Sequence, residues 1–299
     1  MTDAPDGYYG RPIVKEPVWQ PVIPFYLFTG GLAGASSVLH GVARLAGNER
    51  LAKSALYVGA AADAVSPMLL VSDLGRPERF LNMFRVFKVT SPMSVGSWVL
   101  GISGGASSTA AALELAGRLP RLKALAEIAS IASGPALATY TGALLANTSI
   151  PVWSEARDEL PWLFGASAAA SAGAAAAIVT PTEFAGPARR AAIGGVVAEL
   201  GLTKAMARRL GFVGEVYRKD EAARYGKISK ACTALGAGLL AVGGRRSRPV
   251  ALTGSAFILA GELALRWSVF KAGFQSARDP RYTVIPQRER RRRPSAPPP

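Results

Sequence analysis

Apolar residues along this chain collect in long stretches separated by short, charged loops. Stretches of about 20 residues are long enough for a helix to cross the hydrocarbon core of a bilayer. Eight are visible, and six or seven is the alternative count. They are residues 21–47, 51–72, 92–117, 122–146, 160–180, 188–207, 228–244 and 249–273. The pattern predicts an all-α, polytopic membrane protein with about eight transmembrane helices.

The later stretches differ in strength. Residues 160–180 are almost entirely alanine, 188–207 contain Glu199 and Lys204, and 228–244 cover only 17 residues. The last stretch is clear in length although it contains two charged residues. Insertion of the three weaker stretches would therefore depend on packing against neighbouring helices.

The composition fits this interpretation once the charges are located. The 299 residues carry a formal net charge of +15, which often accompanies nucleic-acid binding. Most of the cations lie in loops between apolar stretches instead of on one helical face, so we expect no nucleic-acid partner. The mean hydropathy of +0.22 reflects spans rich in Ala and Gly, small residues that suit close helix packing in a lipid bilayer.

Lys and Arg residues are distributed unevenly between alternate loops. Loops on the side of the N-terminus hold twice as many as loops on the other side, which predicts cytoplasmic termini; a C-terminal reporter active in the periplasm would contradict this. Residues 1–20 have no apolar core, so we expect them to be a segment on the cytoplasmic side and not a cleavable signal. Residues 21–273 form the transmembrane domain, and 274–299 are predicted to be a disordered, Arg- and Pro-rich tail.

The chain has one histidine, His40, and one cysteine, Cys232. A b-type haem in a helix bundle needs paired axial histidines, and a thiolate cluster needs several cysteines. The sequence therefore predicts no haem and no metal held by this chain alone. His40 itself is expected to be a packed or interfacial polar residue, and Glu127 an interfacial one.

Four ionisable side chains within the predicted spans are candidates for proton transfer: Asp63, Glu199, Glu262 and Arg266. Insertion of such a group costs a few kcal/mol, so it usually faces a partner, water or a proton pathway. Glu262 and Arg266 are four residues apart on one helical face, so either a local ion pair or proton transfer could explain them.

Two further segments carry candidate chemistry on the N-terminal side. Tyr140 lies roughly 9 Å inside the predicted boundary by helical rise. A phenol there can donate a hydrogen bond while its ring contacts a flat apolar ligand, although an interfacial aromatic residue is the alternative. In the loop after the second span, Asp73 and the turn residues that follow it indicate an ordered structure, and Asp73, Arg76 and Arg79 are candidates for docking a partner.

Several ordered segments resemble the NrfD/PsrC family, the membrane subunits of polysulfide reductase and related enzymes. The resemblance covers nearly the whole chain. Its main segments are Tyr8-Tyr9-Gly10-Arg11-Pro12, Pro24-Phe25-Tyr26-Leu27-Phe28, Asp73-Leu74-Gly75-Arg76-Pro77, Ser91-Pro92-Met93-Ser94, Tyr140-Thr141-Gly142, Pro151-Val152-Trp153 and Leu265-Arg266-Trp267.

That resemblance implies two four-helix bundles in the inner membrane of a bacterium. It implies a quinone, menaquinone or ubiquinone, bound where the first bundle meets a ferredoxin-like iron-sulfur subunit. Tyr140 would donate to the quinone headgroup, with Tyr26 or Gln20 replacing a histidine that family members carry near the start of the first helix. Electrons would pass directly between the partner's cluster and the quinone, and a molybdopterin subunit would be the catalytic core.

Two other interpretations stay open. Embedded carboxyl groups and glycine-rich helices also suit a proton-coupled or small-solute transporter, and solute uptake by vesicles that contain this chain alone would favour it. A passive anchor with a degenerate quinone site differs from the first interpretation only in turnover and in bound quinone.

Overall fold

Helices account for the secondary structure throughout residues 12–292, the part of the chain that the computed structural model describes. Ten α-helices and two 3-10 helices occur in that range, without strands. Eight of the α-helices have 20 residues or more, the same number as the predicted spans. The prediction of an all-α, polytopic protein is confirmed.

The long helices pass back and forth in chain order. They are α1 (Ile23–Leu45), α2 (Glu49–Ser72), α3 (Pro92–Ala116), α4 (Pro120–Ala146), α6 (Leu160–Val179), α7 (Gly186–Arg209), α8 (Asp220–Val242) and α9 (Arg248–Arg278). The short elements are α5 (Pro151–Glu155), α10 (Arg281–Arg292) and 3-10 helices over Pro77–Phe84 and Val213–Arg218. Four of the described helices, α2, α4, α6 and α9, are long and apolar enough to cross a membrane by length and composition.

Local sequence explains where several helices begin and end. The Asn48 side chain accepts a hydrogen bond from the backbone N–H of Leu51 at 3.1 Å, and this caps the start of α2. The Ser91 hydroxyl accepts a bond from the Ser94 N–H in the same way at the start of α3. Gly117 ends α3 with a φ of 62°, a left-handed conformation that glycine adopts without steric cost.

Helices α8 and α9 are longer than their apolar patterns. Helix α8 begins at Asp220 instead of residue 228, and α9 continues to Arg278 instead of ending at 273. Charged residues at these ends favour the extension, because acidic side chains are stabilising at a helix N-terminus and basic ones at a C-terminus. Hydrophobic pattern alone therefore marks the apolar part of each helix and misses its charged end.

The predicted tail is also corrected in part. Disorder was predicted from residue 274, yet residues 274–278 belong to α9, and α10 covers Arg281–Arg292. Helix α10 is anchored to the rest of the protein through Tyr282, whose buried ring stacks on Phe212 with the centroids 5.1 Å apart. Residues 293–299, and residues 1–11 of the predicted N-terminal segment, lie outside the described residues.

The eight long helices form two bundles. Helices α1–α4 pack together, α6–α9 pack together, and the bundles meet mainly where α1 and α4 contact α6. Close approach depends on glycines at facing positions. A Cβ on Gly34 of α1 would overlap the Gly134 carbonyl of α4, and a Cβ on Gly236 of α8 would overlap the Gly254 carbonyl of α9.

The N-terminal segment crosses the same end of both bundles. The Glu16 carboxylate pairs with the Arg278 guanidinium at the end of α9 at 3.0 Å. The Trp19 ring stacks on Trp153 of α5 with centroids 5.5 Å apart, and the Trp153 indole N–H donates to the Val269 carbonyl at 2.8 Å. The segment therefore ties together elements on the side where the predicted partner-facing residues lie.

Candidate functional site

Two tyrosines meet inside the first bundle near its N-terminal side. Tyr140 of α4 is 9% exposed, and its ring lies directly against Gly96 of α3, where any Cβ would overlap the ring. Tyr26 of α1 is 2% exposed and close enough to interact electrostatically with Tyr140. Three helices thus place two phenols together one to two turns from the same membrane boundary.

The hydroxyl groups of both tyrosines are free of protein partners. Neither the Tyr140 nor the Tyr26 hydroxyl makes a hydrogen bond to any residue in the described part of the chain. A buried phenol usually finds an acceptor. This pair is therefore suited to a ligand that presents a carbonyl oxygen.

Gln20 precedes α1 and is held through its backbone. Its N–H donates to the Asp73 carboxylate at 2.8 Å, which links the N-terminal segment to the end of α2. The Gln20 side chain is exposed. Burial raises the pKa of the Asp73 carboxyl, although the bond from Gln20 opposes that shift. Asp73 thus fixes the N-terminal segment to the end of α2, at one end of the first bundle.

The other two predicted docking residues, Arg76 and Arg79, are exposed. Within residues 12–292 neither guanidinium has an acidic or hydrogen-bonding partner. They are available to an external group, and their assignment to docking stays a prediction.

Asp63 is enclosed midway along α2. It is buried, and the Ser107 hydroxyl of α3 donates to its Oδ2 at 2.5 Å. Its Oδ1 has no partner, and no cation of the described chain pairs with it. The first bundle therefore holds a carboxyl group without a compensating charge.

A second buried cluster joins three helices of the second bundle. Glu262 of α9 and Glu199 of α7 are fully buried, and their carboxyl groups lie close enough to interact electrostatically. Ser167 of α6 donates its hydroxyl to Glu262. Two carboxyl groups can hydrogen-bond only if one of them carries a proton, so this pair is a place to hold one.

Arg266 lies close to that pair but turns towards the first bundle. Its guanidinium stacks on the Phe164 ring 3.8 Å from the centroid, and it donates to the carbonyls of Leu27 at 3.3 Å and Phe164 at 3.2 Å. In the described structure Arg266 makes no ion pair with Glu262 within 4.0 Å, so the local pair suggested by their spacing does not form. The positive charge sits at the junction of the bundles.

A cavity of about 200 Å³ lies beside Glu199, one member of the carboxyl pair. Its lining includes exposed Lys227 and Lys230 at one end and buried Glu199 at the other. Polar atoms of Glu199, Thr203 and Ser229 in its wall have no protein partner. A cavity of this size has room for several waters, and waters beside these three polar groups would satisfy them and hydrate Glu199.

Comparison with known proteins agrees with this architecture. A family model described as "Polysulphide reductase, NrfD" matches residues 13–277. The chain belongs to the NrfD family. No curated protein matches it. Membership is consistent with a multi-pass membrane anchor of a redox complex, because NrfD proteins usually work with redox subunits.

Sequence reasoning missed one polar site of this NrfD protein. At the end of the first bundle opposite Tyr140, the His40 Nδ1 lies 2.8 Å from the Ala52 carbonyl and Nε2 lies 3.5 Å from Glu127. Glu127, predicted to be interfacial, is buried and pairs with Arg44 at 2.9 Å and Lys123 at 3.5 Å. The spacing of four residues in His40/Arg44 and in Lys123/Glu127 was the available signal.

Metal ligands are not clustered in the described part of this NrfD chain. No group of three or more His, Cys, Asp or Glu side chains is arranged there to hold a metal ion. The residues that gather instead carry phenols, hydroxyls and carboxyls, which bind ligands through hydrogen bonds and exchange protons.

Proposed function

We propose that this chain is the quinone-reactive membrane subunit of an iron-sulfur and molybdopterin oxidoreductase complex. Its role is to let electrons pass directly between a partner's iron-sulfur cluster and membrane quinone, without haem. The observation that carries the proposal is the pair of tyrosine hydroxyls, Tyr140 and Tyr26, without protein partners in a chain of the NrfD family.

The side chains around Tyr140 fit a quinone headgroup. A quinone presents two carbonyl oxygens on a flat ring, and when bound it supplies an acceptor for two electrons and two protons. Tyr140 donates its hydroxyl to one of those oxygens, and Gly96 keeps the phenol in place because it leaves room for the ring. Tyr26 is the better second donor, since the Gln20 side chain is exposed and its backbone N–H already binds Asp73. Menaquinone and ubiquinone both satisfy this chemistry.

Proton transfer is assigned to the buried ionisable groups. Glu199 and Glu262 hold a proton between them, and the cavity beside Glu199 connects them to the surface. Arg266 lies between this pair and α1, the helix that carries Tyr26. Asp63, bonded to Ser107, is a separate proton site within the first bundle.

Partner docking is assigned to the side of the N-terminus. The phenols lie near this boundary, so a ferredoxin-like subunit bound here would bring its cluster closest to the headgroup. Asp73, Arg76 and Arg79 lie on the same side, and the molybdopterin subunit would attach through the iron-sulfur subunit. The excess of cations in these loops supports placing this side in the cytoplasm, at the inner membrane of a bacterium.

Tyr140→Phe tests the proposal, because it removes the donor and keeps the ring. In the purified complex we expect quinone reductase activity to fall about 10²-fold, the usual loss when one donor to a developing charge is removed. Thermal unfolding should be unchanged, since the hydroxyl has no protein partner.

Tyr57→Phe is the matched control. Tyr57 is a partly buried tyrosine of the same bundle, on α2 towards the opposite membrane side. Its substitution should leave turnover intact. Normal activity in Tyr140→Phe, or equal losses in both variants, would refute the assigned donor.

A further inference from the structure

The segment between α2 and α3 has a repeat that matches its unusual helix type. A 3-10 helix has three residues per turn, so side chains three positions apart lie one above another. Polar residues recur at that spacing through the 3-10 helix Pro77–Phe84 and its flanks: Asp73, Arg76, Arg79, Asn82, Arg85 and Lys88. The remaining faces of the helix are mostly apolar, including Phe80, Leu81, Met83 and Phe84. The helix is therefore amphipathic when its residues are arranged at three per turn.

The apolar faces of this segment are uncovered by the described protein. The 3-10 helix has no buried residue. Leu81 is 63% exposed, and the residues after the helix continue the surface with Val86 67%, Phe87 58% and Val89 75% exposed. Six or more large apolar side chains in one short loop exceed the scattered exposure that is ordinary on a protein surface.

The segment folds back along the flank of the bundle instead of standing above it. Phe84 and Phe87 meet the Trp98 ring edge-on, at 5.7 Å and 6.2 Å between centroids. Phe84 also lies against Gly101, nine residues into α3. At 1.5 Å per residue that contact is roughly 14 Å below the start of the helix. A soluble subunit docked on the end of the bundle does not reach that depth, whereas lipid does.

The charges on this segment match the chemistry of a phospholipid surface. Arg85 and Lys88 follow the 3-10 helix at the spacing of the polar repeat and are exposed, and in residues 12–292 neither side chain has an acidic partner. A helix with an apolar face and a basic face lies in the plane of the membrane interface, with cations among the phosphates. Each cation near an anionic surface adds to the attraction. Trp is enriched at membrane interfaces, as Trp98 would be here, and Phe is typical of the apolar face of an interfacial helix.

We propose that residues 77–89 form an interfacial element that inserts its apolar faces into an anionic leaflet and holds lipid phosphates with Arg85 and Lys88. The binding surface is lipid, not a protein subunit, and it stands independently of the quinone proposal. Residues 77–89 also contact α3, the helix that carries Gly96, on its outward-facing side.

Two neighbouring residues on different faces of the 3-10 helix provide the test. Because Cys232 is the only cysteine in the chain, Cys232→Ser gives a cysteine-free background. Leu81→Cys and Asn82→Cys are then spin-labelled in the full chain, in nanodiscs of phosphatidylcholine with phosphatidylglycerol and without any partner subunit. Both positions are exposed, so both variants should fold.

We expect the label at position 81 to collide more often with oxygen than with a water-soluble nickel chelate, and the label at 82 to show the reverse order. Replacing phosphatidylglycerol by phosphatidylcholine should raise the nickel collisions at position 81. Equal water exposure at both positions would overturn the proposal. Protection of position 81 only after a redox partner is added would also overturn it and identify a protein contact, and indifference to lipid charge would remove the role of Arg85 and Lys88.

Discussion

The two bundles bury polar groups in different ways. In the first, the polar groups are separated along the membrane normal: Tyr140 and Tyr26 near one side, Asp63 midway, and the His40 network at the other end. In the second, Glu199, Glu262 and Arg266 converge in one fully buried group. The tyrosine hydroxyls of the first bundle have no protein partner and are therefore suited to binding a ligand. The buried carboxyls and the guanidinium of the second bundle lie together, which suits them to holding protons and to stabilising the fold. From this difference we infer that the first bundle recognises the ligand and that the second bundle holds protons.

Arg266→Met should have the largest effect on this division. The change removes a buried cation that compensates two carboxyls and releases the Leu27 and Phe164 carbonyls. Each buried carbonyl left without its donor costs about 1–3 kcal/mol, and a cation beside two carboxyls is lost as well. We expect a large drop in thermal stability of the detergent-purified chain, together with loosened contact between the bundles.

Arg246→Met is the control for this change, because Arg246 is exposed in the α8–α9 connection. Its substitution should leave the unfolding temperature within measurement error. If Arg266→Met were as stable as the control, the charge cluster would not contribute to holding the bundles together.

Gly96→Ala should have the next largest effect, and it acts on the first bundle. The added methyl group must displace the Tyr140 ring, since any Cβ on Gly96 overlaps it. Overpacking of this kind costs about 1–3 kcal/mol. Quinone reductase activity should fall together with a moderate loss of stability, because the phenol is moved as well as crowded.

Gly105→Ala on the same helix is the matched control. No atom outside the local helix lies within 4 Å of a Cβ at Gly105, so alanine should be tolerated or slightly stabilising there. Full activity in Gly96→Ala would mean that the position of Tyr140 does not determine turnover.

The sequence predicted the number of helices well because lipid imposes a length on each apolar stretch. Buried charges inside those stretches were equally visible, since Asp63 and Glu199 interrupt runs of apolar residues. Tyr140 was identified by the order of family segments and not by its own surroundings. Its contact with Gly96, 44 positions away, leaves no local pattern.

The features that could not be predicted from the sequence depend on tertiary contacts or on local backbone conformation. Spacing paired Arg266 with Glu262, yet the guanidinium found aromatic and carbonyl partners on α6 and α1, the latter 239 residues away. The amphipathic pattern of residues 77–84 could not be recognised from the sequence, because polar residues at every third position fit neither the 3.6-residue period of an α-helix nor the two-residue period of a strand. Only knowledge of the 3-10 conformation makes that repeat meaningful.

Glu262→Gln gives the smallest effect on stability and the sharpest test of the second bundle. Glutamine keeps the shape of the side chain, can accept the Ser167 hydroxyl and can donate its amide to Glu199, so stability should change by only about 1 kcal/mol. It cannot carry a proton. If the carboxyl pair moves protons, uptake measured with a pH dye should fall per quinone reduced while quinone affinity stays unchanged, because Tyr140 and Tyr26 lie in the other bundle. Glu221→Gln, which changes an exposed carboxylate paired with Lys271, should leave uptake normal. Equal uptake in both variants would leave the buried pair with a structural role alone.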